Sequence, residues 1–170
     1  MPKDKGLSSQ PKTRIVPEYA RDNSAESLGV VASQKLAKAE LSLTKLSLTK
    51  LNSLNIPEGN QADSEKQACM RNLVGTIDDF DDAQNSLNLW RRRICTGKNG
   101  TQNKYRKACA DAAASATRIQ EKLATARKLV SEIQSAFENF DQRGNQLFTI
   151  LTTILKTAKE MQAGLTRSMG

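Results

Sequence analysis

Alternating steps of four and three residues from Tyr105 meet Cys109, Ala112, Ala116, Ile119, Leu123, Ala126, Val130, Ile133, Phe137, Phe140, Gly144, Leu147, Leu151, Ile154, Ala158, Met161 and Leu165. Within that row only Gly144 lacks an apolar or aromatic side chain. An apolar period of 3.5 residues keeps one face of a helix against a partner helix. The pattern therefore predicts an all-α protein, an antiparallel helical bundle or coiled coil with a long heptad-bearing C-terminal helix.

Two earlier segments carry the same signal. Over 25–54, Ala32, Leu36, Ala39, Leu43 and Leu46 form a seam, and Leu41 and Leu48 on its flank widen the apolar face. This stretch holds a tandem five-residue repeat, Leu41-Ser-Leu-Thr-Lys45 and Leu46-Ser-Leu-Thr-Lys50. Its Lys-Leu junction resets the alternation a strand would need, so helix is the better reading. Asn23 or Ser24 caps it, with Glu26 in the first turn. Ile56-Pro57-Glu58-Gly59-Asn60 reads as a turn. Over 62–95, Cys69, Leu73, Ile77, Phe80, Ala83, Leu87, Trp90 and Ile94 recur at helical spacing. Thr96-Gly97-Lys98-Asn99-Gly100-Thr101 then ends the helix, and so short a loop makes its neighbours antiparallel.

One ambiguity decides the architecture. Asp141-Gln142-Arg143-Gly144-Asn145 resembles a stop and restart, which would give helices over 103–141 and 145–168. The heptad phase is the same on both sides, and an interior glycine costs only about 1 kcal/mol. The preserved phase tips the expectation toward one continuous helix, about 90 Å long at 1.5 Å per residue. The helix over 62–95 would cover only its first half. The seam beyond Gly144, with Leu147, Phe148, Leu151, Ile154, Leu155, Met161 and Leu165, would then lack a partner within the chain and serve as a partner-binding face. A break near Gly144 would instead complete a four-helix bundle that needs no partner.

Composition supports a narrow bundle over a large globular core. The 170 residues include 4% aromatics and no His, and mean hydropathy is −0.56. Three of the four prolines fall in the first 17 residues, and residues 1–24 read as a flexible arm ahead of a bundle over 25–170. No apolar run approaches the ~18 residues a membrane-spanning helix needs, and no signal-peptide pattern is visible. The expected location is cytoplasmic or otherwise intracellular, with the three cysteines as thiols.

Charge changes the picture at one place. Residues 91–109 hold Arg91, Arg92, Arg93, Lys98, Lys104, Arg106 and Lys107 and no acid, whereas the whole chain has a net charge of +8. Arginines at a helix end favour the macrodipole, but Lys104, Arg106 and Lys107 crowd the positive start of the next helix, where the dipole disfavours them. A basic hairpin tip is thus a candidate anion-binding site for nucleic acid, an anionic membrane surface or an acidic protein. Stacking aromatics, zinc motifs and recognition helices are not apparent.

Candidate chemistry adds little. Asp78-Asp79-Phe80-Asp81-Asp82 contains a DDxxD spacing that can chelate magnesium from one helix face, yet no second acidic cluster accompanies it and a solvated acidic face is the better reading. The absence of His removes Cys–His and Ser–His catalysis. Cys95 and Cys109 bracket the loop and would staple it if oxidised, leaving Cys69 over; buried thiols are the expectation. Catalytic residues, metal ligands, cofactors and a small-molecule substrate are not expected. The leading expectation is a non-enzymatic helical interaction or assembly protein, a structural subunit or adaptor that pairs with itself as a homo-oligomer or with another helical protein. The alternative is a binder of nucleic acid or an anionic surface through 91–109.

Overall fold

A computed structural model of the chain describes residues 25–46, 60–96, 104–135 and 140–169. Every regular element among them is helical: α1 (Ala25–Thr44), α2 (Asn60–Ile94), α3 (Arg106–Ser135) and α4 (Phe140–Met169). The arm over 1–24, the Pro57 turn and Lys98 lie outside the described residues.

The seams read from the sequence are the buried faces. Ala32, Leu36, Ala39, Leu43 and Leu46 of the α1 segment are buried, as are Cys69, Leu73, Ile77, Phe80, Ala83, Leu87, Trp90 and Ile94 of α2. From Tyr105 to Leu165 the described seam positions are buried too, apart from half-buried Cys109. Ala112, Ala116 and Ala126 make α3 thin, whereas Leu147, Leu151, Ile154 and Met161 give α4 the bulk that fills the centre.

Helix α1 packs chiefly on α2 and α4, and α3 on α2 and α4, closing a ring of four packed helices around one core. The pairings run in opposite residue order. Lys35 meets Asp82 while Ser42 meets Asp79. Arg127 meets Asp78, whereas Gln84 donates from its Nε2 to the Ala116 carbonyl at 3.0 Å. Arg143 pairs with Glu132, and Arg118 lies 3.9 Å from Glu160. Gln84, 4% exposed, is a buried amide whose bond to the backbone of α3 fixes the register of that pair.

Of the two architectures the sequence left open, four packed helices are the one present, with two corrections to the C-terminal reading. The C-terminal seam is not one straight helix: α3 ends at Ser135, α4 starts at Phe140, and the two pack on each other. Nor does the reversal fall at Gly144, which is buried inside α4 one turn beyond its start. The Phe140 ring lies over that glycine, its Cε1 3.4 Å from where a Cβ would stand. Gly144 therefore seats a ring, and the stop signature read from Asp141 to Asn145 belongs to a first helical turn. Of the 25–54 segment read as helical, 47–54 lie outside the described residues, and α1 occupies the first part. It ends at Thr44, and the Leu46 amide donates to the Leu43 carbonyl at 2.9 Å as the chain turns.

Candidate functional site

The end of the bundle where α2 stops and α3 starts gathers the basic residues. Arg92, Arg93, Lys104, Arg106 and Lys107 are exposed and Arg91 is half-buried. Beneath them lies an apolar floor. Trp90 and Tyr105, 0% and 1% exposed, meet edge to face with ring centroids 6.1 Å apart. The Tyr105 hydroxyl donates to Glu26 of α1 at 3.2 Å, and Lys104 Nζ sits 5.3 Å from the centre of the Tyr105 ring. Burial, followed by the Glu26 bond and charge, raises the Tyr105 phenol above its ordinary value.

Cys95 and Cys109 are joined by a disulfide, with Cα atoms 5.8 Å apart across 14 residues of sequence. This corrects the expectation of three thiols; Cys69, buried in α2, lies outside the bond. The placement of the two cysteines on either side of a short loop fits this pairing, whereas the default of a reducing compartment points to thiols. The bond ties the end of α2 to the first turn of α3, where six cations repel one another and three of them oppose the α3 dipole. It holds together a segment that electrostatics alone would loosen.

The basic and acidic clusters differ in how they are neutralised. Among the described residues no carboxylate lies within salt-bridge distance of Arg91, Arg92, Arg93, Lys104 or Lys107. Arg91 instead donates to the Asn88 amide oxygen at 2.9 Å. Asp78, Asp79, Asp81 and Asp82 of α2 are partnered from both sides. Asp82 takes Lys35 at 2.6 Å and Asp79 takes Ser42 and Lys38 of α1, while Asp78 and Asp81 share Arg127 of α3 at 3.3 and 3.7 Å. The DDxxD carboxylates thus diverge onto two neighbouring helices, and no group of described residues is arranged to hold a metal ion.

The residues read as a partner-binding face lie inside. Leu147, Leu151, Ile154, Met161 and Leu165 are at most 1% exposed, and Phe148 and Leu155 are half-buried against the same core. No helix among the described residues is long and apolar enough to cross a membrane. No protein-family model matches the chain, and no curated protein or solved structure is detectably similar to it.

Proposed function

We propose that this chain is a non-enzymatic helical binding protein, an antiparallel up-and-down bundle that docks an anionic macromolecular surface end-on through Arg91, Arg92, Arg93, Lys104, Arg106 and Lys107. One contrast carries the reading: the acidic residues over 78–82 are charge-paired within the bundle, whereas Arg91, Arg92, Arg93, Lys104 and Lys107 have no carboxylate within salt-bridge distance among the described residues. Uncompensated charge of one sign draws an oppositely charged partner and speeds its encounter. Opposite residue order in the contacts supports the antiparallel part of the reading. Assembly through the α4 face loses support, because its apolar residues would have to leave the core before meeting a partner.

The test is equilibrium binding of the oxidised full chain to anionic vesicles, duplex DNA and an acidic polypeptide across a salt series. The expected result is binding to at least one, weakening steeply with salt, and at least about 10-fold weaker for the combined R91Q/R92Q/R93Q variant. A charge-matched variant, K35Q/K38Q/R127Q, removes three cations from the paired belt and should bind like the parent. Equal loss in both variants, or salt-independent binding, would overturn the proposal.

A further inference from the structure

We infer that the Cys95–Cys109 disulfide is an exchange site for anionic low-molecular-weight thiols, and that it opens in one direction, with the incoming sulfur bonding to Cys95 and Cys109 departing. The inference shares the basic end with the docking surface but needs no macromolecular partner.

Three observations lead there. Both cysteines are half-buried at the edge of the core, whereas Cys69 is buried, so the bond lies within reach of a small reagent. Its surroundings are positive from both helices: Arg91, Arg92 and Arg93 precede Cys95, and Lys104, Arg106 and Lys107 precede Cys109. Among the described residues, two acids near this end are directed elsewhere. Glu26 of α1 accepts from Tyr105, and Asp111 of α3 has its Oδ2 3.3 Å from where a Cβ on Gly164 of α4 would stand. A negatively charged thiolate is therefore attracted toward the bond, and any thiolate released there is stabilised.

The third observation sets the direction. Cys95 is the residue after α2 ends, beside the last carbonyls of that helix, and its own amide donates to the Arg91 carbonyl at 2.8 Å. Cys109 is the fourth residue of α3, in the positive first turn. The helix dipole disfavours a thiolate at the first position and favours it at the second. In exchange the sulfur that makes the better thiolate is the better leaving group. An incoming RS⁻ thus attacks Cys95 Sγ, forming a new S–S bond as the Cys95–Cys109 bond breaks, and Cys109 leaves with the electron pair and takes up a proton from solvent. A second RS⁻ attacks the RS sulfur of the mixed disulfide, giving RSSR as Cys95 leaves with the electron pair and takes up a proton from solvent. Two electrons pass from two thiols to the protein disulfide.

The oxidised chain is treated with glutathione, with uncharged 2-mercaptoethanol and with cationic cysteamine, quenched with acid and mapped by peptide mass spectrometry. The expected mixed disulfide lies on Cys95. Glutathione should react about 10-fold faster than cysteamine, each rate normalised to its thiolate concentration. High salt and the R91Q/R92Q/R93Q variant should each shrink that ratio toward one. In single variants, the Cys109 thiol of C95S should titrate below the ordinary value of about 8.5 and the Cys95 thiol of C109S should not. Modification on Cys109, a rate indifferent to reagent charge, or reversed titration of the two thiols would overturn the inference. So would a bond that withstands all three reagents while the urea-unfolded chain reacts.

Discussion

Gly75 lies on the exposed side of α2, and a Cβ built there would meet nothing within 4 Å. An interior helical glycine surrounded by open space contributes only backbone entropy to the unfolded chain. Gly75→Ala should therefore raise stability by about 1 kcal/mol, read as a higher urea midpoint with an unchanged slope. Gly164 is the counter-example, because its Cβ would stand 3.3 Å from Asp111 Oδ2 and the α3 side chain would have to shift. Tyr105 gives a residue-scale prediction with a pH signature. Its folded-state pKa is raised above 10.0 by burial and by Glu26, so the native state keeps a proton that the unfolded chain loses. The contribution is fully present below pH 10.0 and is lost as pH rises through the folded value. Tyr105→Phe should lower stability near neutral pH by about 1 kcal/mol through the lost hydrogen bond. It should also flatten the alkaline fall, so that parent and variant converge in denaturation curves taken above pH 10. The Tyr105–Glu26 pairing could not be read from the sequence, since 79 residues separate its members and neither stands in a motif.

Among the elements, periodicity read the helical faces almost residue by residue, because one apolar stripe leaves little choice of side. Leu41 is the exception: placed on the flank of the α1 seam as a widening of its apolar face, it is instead 59% exposed. The connection between α3 and α4 was misread for a physical reason. Ser135-Ala136-Phe137-Glu138-Asn139-Phe140 contains no Gly or Pro, whereas Gly144 stands four residues farther on and carries a familiar stop signal. Two helices facing one core can also keep a common heptad count across a reversal, so preserved phase was poor support for continuity. The distinction matters for α4. Leu151 is 0% exposed in the closed bundle, and replacing it with Ala should cost about 2–5 kcal/mol. Thermal and urea unfolding should report that loss in the single chain, at midpoints independent of protein concentration. A concentration-dependent midpoint in the parent would instead mean that α4 is buried against another copy.

For the whole molecule, closing the ring of helices removes the apolar stripe that would have called for assembly. The large hydrophobic residues left exposed among those described are Val30 and Leu41, which are 37% and 59% accessible and both on α1. Two scattered side chains do not make the contiguous patch of several hundred Å² that marks a partner surface. Charge does not promote self-pairing either. A second copy would have to offer the basic end an acidic patch, yet Asp78, Asp79, Asp81 and Asp82 of α2 are already engaged by Lys35, Lys38 and Arg127 of their own chain. Bringing two basic ends together would add like-charge repulsion over a short distance. The expected species is a monomer of 18.7 kDa by sedimentation velocity at micromolar concentration. Its mass should not change between 50 mM and 500 mM salt, because the described residues offer neither an exposed apolar seam nor an unpaired acidic cluster for screening to unmask. A dimer that persists in high salt would point to apolar contact and return attention to the α4 stripe. One that dissolves with salt would mean that the paired belt exchanges its lysines for the basic end of a neighbour.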